Sequence, residues 1–293
     1  MKVSSFFLIL LAAAVLMAVL FAQASPPPVD KIPAQTEPTP QVSPGWQERD
    51  GQRYYLDDDG MALTGWQTVD DRLYYFRADG SMARGRVEID GVSRFFTADG
   101  TEILMTNIWN PVPEGYEPEL ADLDSYYGKE GMQVDPVCLE ALTAMIDACN
   151  VAGARAYVIS AYRSPEQQQA LFSGKVARLM AAGMSRTDAE AEATTVVLLP
   201  GTSEHHLGLA VDIIDTKLWA LEEEQEDMPA QQWLMDNCWR YGFIFRYPKN
   251  KTAVTGIIYE PWHYRYVGKE LALEIHEAGD ITLEEYIQNL TEK

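Results

Sequence analysis

The chain of 293 residues carries 44 acidic against 23 basic side chains, a net charge of −21, with 47% apolar and 11% aromatic residues. Most of it has the composition to fold, but its acidity excludes nucleic acid as an expected partner, because phosphate binding needs clustered Lys and Arg. Simple charge attraction to anionic lipids is excluded on the same ground. In chain order, the first element is the uncharged stretch from Val3 to Ser25, preceded by Lys2. Ala22-Gln23-Ala24 is a small-x-small site of the kind a signal peptidase cuts. The apolar run Val3 to Ala22 is also twenty residues, about one bilayer span. Residues 1–24 are therefore expected to be a signal peptide or a retained membrane anchor. Either places the rest of the chain outside the membrane, anchored or secreted. Residues 25–44 hold seven prolines and almost nothing able to pack, which predicts a semi-rigid tether.

From Gly45 the chain repeats with a period of twenty residues: GWQERDGQRYYLDDDGMALT, GWQTVDDRLYYFRADGSMAR and the weaker GRVEIDGVSRFFTADGTEIL. Each copy has an aromatic strand (Tyr54-Tyr55, Tyr74-Tyr75, Phe95-Phe96) followed by an Asp-Gly turn, a pattern of stacked β-hairpins. Residues 45–102 resemble the cell-wall-binding repeats of Gram-positive surface proteins, the choline-binding type included. The resemblance implies a cell-wall polymer as partner, held by aromatic cages. Where that family carries Trp, this chain has Arg53, Leu73 and Arg94, which removes one wall of a cage. A spacer whose aromatics are only core is the other reading.

Residues 103–293 are long enough for one α+β domain. Leu139, Leu142, Met145 and Ile146 share one face of a predicted helix over Pro136 to Asn150. Arg155 to Ser160 reads as a strand. Ser164-Pro165-Glu166-Gln167 starts a helix expected to run to about Ala182, and Ser185-x-x-Asp188 starts another. Tyr241 to Tyr247 and Gly256 to Tyr259 read as an antiparallel pair. Cys138 and Cys149 on one helix lie roughly 16 Å apart, too far for a disulfide. Any internal bridge must use Cys238, and buried reduced thiols are the alternative.

Three of the four histidines fall in two dense stretches, SEHHLGLAVDI (Ser203 to Ile213) and EPWHYRYVG (Glu260 to Gly268). His205, His206, Asp212 and Asp215 are candidate metal donors in the first, and His263 in the second. If Gly208 permits a turn into a strand, Val211 and Ile213 point to the core, while His205 and Asp212 meet at one point. Two imidazoles and one carboxylate suit a catalytic zinc with an open position, and Glu260 can lean over the same ion as a proton acceptor. His276 reads as a surface or capping residue.

The pattern Ser203-x-His205-x-x-Gly208-x-x-x-Asp212 with Glu260-x-Trp262-His263-x-Arg265 resembles the signature of VanY-type D-alanyl-D-alanine carboxypeptidases. That zinc peptidase superfamily includes D,D-dipeptidases and phage endolysins. Ser160-Ala-Tyr162-Arg163-Ser164, Gln168 and Asn107-Ile-Trp-Asn-Pro111 extend the likeness. The resemblance implies zinc (Zn2+) held by His205, Asp212 and His263, with Glu260 as general base. It implies that Arg163 stabilises the oxyanion or the anionic end of the substrate, and that Ser203 and Gln168 contact substrate. The expected fold is a small α+β zinc peptidase domain, a central antiparallel sheet flanked by helices. The expected reaction is removal of the terminal D-alanine from peptidoglycan stem peptides at the cell envelope. A dipeptidase or endopeptidase with the same site, or a wall-bound module with structural zinc, are the alternatives.

Overall fold

The computed structural model describes residues 43–291. The segment expected to be a signal peptide or anchor, and the tether up to Val42, lie outside the described residues. Among the described residues no helix is long and apolar enough to cross a membrane.

The repeats form three antiparallel hairpins: β1 (Gly45–Arg49) with β2 (Gln52–Leu56), β3 (Gly65–Val69) with β4 (Arg72–Phe76), and β5 (Gly85–Ile89) with β6 (Val92–Phe96). The turn closing each hairpin precedes the aromatic strand. Asp50-Gly51, Asp70-Asp71 and Asp90-Gly91 all sit at positive φ, the conformation a two-residue hairpin turn demands. The Asp-Gly pairs singled out from the sequence lie in the turns that follow the aromatic strands and lead to the next copy. Trp46 packs edge-on against Tyr55 of its own copy and Tyr74 of the next, at 5.3 and 5.1 Å between ring centroids. Trp66 also meets Phe96 of the third copy, so the first two hairpins complete their apolar faces by sharing rings with the next. The arginines replacing the family's Trp cover indole faces themselves: Arg53 lies 4.2 Å from the Trp46 ring centroid and Arg94 5.3 Å from that of Trp66.

After β7 (Glu102–Ile103) and the short pair β8 (Ala121–Asp122) and β9 (Gln133–Val134) comes α1 (Pro136–Val151). Asp135 caps α1 through the Val137 amide, and Cys138, Leu142, Met145, Ile146 and Cys149 form its buried stripe. β10 (Ala156–Ser160) leads to α2 (Pro165–Ala181), whose start is the capping box of Ser164 and Gln167 that the sequence predicts. α3 (Arg186–Ala193) starts at Ser185. The remaining elements are β11 (Ala210–Asp215), α4 (Pro229–Asn237), β12 (Phe243–Phe245), α5 (Thr252–Thr255), β13 (His263–Tyr266), α6 (Lys269–Ala278) and α7 (Leu283–Thr291).

The main sheet is antiparallel, in the order β10-β11-β13-β12. Val158, Val211, Ile213, Phe243 and Tyr264 line one core with the buried face of α1. The sheet corrects one expectation. Phe243–Phe245 pairs with His263–Tyr266, and residues 256–259 form no strand. Thr252–Thr255 makes one helical turn that Gly256 ends at φ 78°, so the apolar residues after it follow another course. Ile257 packs on Leu198 and Tyr247, and Ile258 donates its amide to the Thr195 carbonyl. All three cysteines are free and buried, which removes the disulfide alternative. His276 is exposed and stacks on Trp239, 4.2 Å between centroids.

The third hairpin packs directly on the second half of the chain. Phe95 and Ile103 share an apolar cluster with Leu271, Ile275, Leu283 and Ile287, and Thr291 accepts the Arg86 amide at 2.8 Å.

Candidate metal centre

β11 and β13 pair in a register that sets Asp212 opposite His263, so two distant segments deliver adjacent side chains without a loop to hold them. His205 arrives from a single 3-10 turn, Glu204–Leu207, closed by Gly208 at φ 71°. A Cβ at Gly208 would lie 2.9 Å from the Asp135 amide nitrogen, so both the turn and the packing require glycine here. A bulge between Val158 and Ser160 brings Ser160 opposite Asp212 on the other side of β11.

Nitrogens of His205 and His263 and a carboxylate oxygen of Asp212 all lie within 4.8 Å of one another, and all three residues are buried. His205 Nδ1 donates to the Ala161 carbonyl at 2.7 Å, which leaves the lone pair of Nε2 facing Asp212 Oδ2 at 3.3 Å. Nε2 is buried and has no hydrogen-bond partner. Burial and the Arg163 guanidinium push the imidazole down to about 4, so it is neutral at ordinary pH. A lone pair set against a carboxylate in a dry site calls for a cation between them, and two imidazoles with one carboxylate are a donor set for zinc. His263 presents Nδ1 to Asp212 Oδ1 at 3.1 Å and to Glu260 Oε2 at 3.7 Å. Burial alone would lower His263. The carboxylates of Asp212 and Glu204 override it and raise the ring to about 9, and the imidazoles hold Asp212 well below the usual carboxylate range.

Glu260 is buried beside this cluster. Loss of water raises its carboxyl to about 8, with the Asp212 charge acting in the same direction. Arg163 spans the opposite side: its Nη2 donates to Asp212 Oδ2 at 3.2 Å, Nη1 to Gln168 Oε1 at 2.8 Å and Nε to Ser160 Oγ at 3.1 Å. Seven residues singled out from the sequence, Glu260, Arg163, His205, Asp212, His263, Ser203 and Gln168, line one open cavity of about 820 Å³ together, whereas His206, Asp215 and His276 do not.

One of these sits differently from a direct substrate contact. Gln168 is buried, with its amide oxygen on Arg163 and its nitrogen on the Leu198 carbonyl, so its hydrogen bonds position the guanidinium. Ser203 starts the His205 turn without capping it, which leaves its hydroxyl free to meet a ligand. His206 is a loop clamp: Nδ1 donates to the Arg163 carbonyl at 2.7 Å and Nε2 accepts the Gly201 amide at 3.1 Å. Asp215 caps local amides at Lys217 and Ala230. Sequence reasoning missed Glu204, Tyr247 and Arg246. Glu204 stood between two candidates, but an acidic residue in a surface-like turn carries no mark of burial. Tyr247 packs its ring 4.7 Å from that of His263 and walls the cavity.

The family model VanY, described as D-alanyl-D-alanine carboxypeptidase, matches residues 131–269. Residues 63–109 match a choline-binding repeat and residues 45–60 a cell wall binding repeat. A D-alanyl-D-alanine carboxypeptidase of Enterococcus faecalis is 42% identical over 191 residues, covering 65% of this chain and 66% of that one, just under two thirds of the relative's length. The solved structure of VanYB in complex with D-alanine-D-alanine is 42% identical, covers 63% of this chain and 96% of its own, and has a TM-score of 0.56. A vancomycin resistance D,D-pentapeptidase VanY variant, solved with Zn(II), is 41% identical, with 63% and 97% covered and the same TM-score of 0.56. The LD-carboxypeptidase LdcB is 34% identical at a TM-score of 0.57, with 70% and 94% covered.

Proposed function

The chain belongs to the family of VanY-type D-alanyl-D-alanine carboxypeptidases, and from that premise we propose that it hydrolyses the terminal D-alanyl-D-alanine bond of peptidoglycan stem peptides, as a zinc peptidase at the cell envelope. The observation that carries the reading is the convergence of His205 Nε2, the Asp212 carboxylate and His263 Nδ1 on one point of a cavity also lined by Glu260 and Arg163.

His205, Asp212 and His263 would hold the zinc, which supplies Lewis acidity toward a water and the scissile carbonyl. Glu260, in a dry pocket where its carboxylate readily accepts a proton, takes the proton from the attacking water and hands it to the leaving amine. Arg163 offers its guanidinium to the charge that develops on the carbonyl oxygen, or to the substrate's terminal carboxylate. Gln168 and Ser160 hold that guanidinium in place. Ser203 is the hydroxyl left for the peptide. The same open cavity is also lined by Lys129, Lys175 and Glu222 to Glu224, which offer charged groups to the rest of a stem peptide. The repeats provide the wall-facing half, and the segment before them a signal or membrane anchor.

The D,D specificity is preferred to the L,D one because the two VanY structures, one with D-alanine-D-alanine bound and one a D,D-pentapeptidase, stand at 42% and 41% identity against 34% for LdcB. Mass spectrometry of synthetic stem peptides, with and without chelator, tests the proposal. A pentapeptide ending in D-Ala-D-Ala should lose one alanine, and chelator should stop the loss. Hydrolysis of free D-Ala-D-Ala with the pentapeptide left intact would make the enzyme a D,D-dipeptidase. Cleavage of the tetrapeptide alone would make it an L,D-carboxypeptidase, and no turnover on any of these would leave a binding module.

A further inference from the structure

The geometry points to Glu204 as a positioning residue for His263, held by a buried brace that reaches the C-terminal helix; this rests on the zinc reading above. Glu204 is wholly buried in the turn that carries His205. Its Oε1 accepts from Arg246 Nε at 2.9 Å and faces Arg265 Nη1 at 3.0 Å. Its Oε2 has no hydrogen-bond partner, and neither has His263 Nε2; the two buried atoms stand 3.5 Å apart, each the other's remaining prospect. The opposite nitrogen, Nδ1, faces Asp212 and Glu260. An imidazole that gives its Nδ1 lone pair to a cation carries its proton on Nε2, and that proton needs an acceptor. Glu204 Oε2 is placed to be it.

A carboxylate cannot be kept dry for this purpose alone. Arg246 donates through Nη1 and Nη2 to both oxygens of Glu284 on α7, at 2.8 and 2.6 Å. Arg265 Nη2 donates to the Leu104 carbonyl at 2.8 Å, and Asn107 Nδ2 to Glu284 Oε1 at 3.0 Å. Two glutamates and two arginines make the cluster neutral. Glu284, Leu104 and Asn107 all lie outside residues 131–269, so the flanking segments complete the support of a metal ligand within them.

The test uses the purified full chain. Zinc affinity is measured by competition with a chromophoric chelator, thermal unfolding is followed on the zinc-free protein, and long-range 15N–1H NMR of the four histidines is recorded with zinc bound. Glu204→Asp keeps the charge that the arginines need but withdraws the carboxylate from the ring. It should bind zinc about 10- to 100-fold more weakly, while its zinc-free melting changes little. Glu204→Gln should weaken zinc by a similar factor, and Glu284→Gln by less. In the wild type, His263 should carry its proton on Nε2. Zinc affinity unchanged in the folded Asp variant overturns the inference. So does a His263 protonated on Nδ1, a result that stands even if neither Glu204 variant folds. A wild type that binds no zinc at all sinks the functional reading instead.

Discussion

In the repeats, Arg72 meets Asp99 at 3.4 Å with the two side chains 57% and 38% exposed, whereas Arg246 meets Glu204 at 2.9 Å with neither exposed at all. The same pair of charged groups is a solvated decoration in one region and a structural necessity in the other. Water screens the first and competes for it, so its loss is small. No water reaches the second, and removal of one partner strands the other charge in a dry interior. The aromatics follow the same division. Arg53 and Arg94 lie on half-buried indoles in the repeats, while the ring of Tyr247 is shut in between Arg246 and His263.

The strongest way to break the comparison is to disturb the dry region at its reacting end. Glu260→Ala should keep zinc and lower kcat by about 10²- to 10⁴-fold, since a general base is lost and nothing replaces it. Arg163→Ala should keep zinc and lower kcat by about 10²- to 10³-fold. Steady-state kinetics alongside metal content checks both. A Glu260→Ala protein with wild-type turnover would remove that residue from the chemistry.

A smaller effect compares the two ion pairs directly. Arg246→Ala should destabilise the fold by about 3–5 kcal/mol, because Glu204 and Glu284 then face each other's charge with only Arg265 nearby. Arg72→Ala should cost no more than about 1 kcal/mol. Chemical denaturation of both variants reads the difference, and equal losses would erase the distinction drawn here.

The smallest effect at neutral pH comes from the thiols. Burial pushes Cys138, Cys149 and Cys238 up to about 12, from an ordinary value of 9. The native protein should therefore be inert to a thiol reagent at pH 8, and the unfolded chain should react at all three. The sign follows: the native state keeps its thiol protons where the unfolded chain loses them. The stability this contributes is complete below about pH 9 and declines as the pH rises toward 12. Rapid labelling of the native protein at pH 8 would show that at least one thiol is not shut in as described.

Much of this molecule was legible before folding. The starts of α2 and α3 are written in Ser164 and Ser185, because a cap is a contact between residues three apart. The metal candidates were legible for another reason: imidazoles are scarce in this chain and cluster in two stretches. The strand pairing was not. Ile257 and Ile258 alternate as a strand would, yet the positive-φ turn at Gly256 and the packing of Ile257 on Leu198 take that segment away from the sheet. Gln168 read as a substrate contact, and only the approach of Arg163 and the Leu198 carbonyl shows where its amide is used.

Taken alone, the order of residues determined the repeat period, the helix starts and the set of side chains able to grip a divalent ion, since each depends on spacing or on chemical type. Tertiary structure alone decided that Asp212 faces His263 across β11 and β13, that Glu204 lies beneath that histidine, and that Glu284 closes the brace from α7. Such contacts join residues tens of positions apart, and their strength comes from the exclusion of water. Only the packed chain creates that condition.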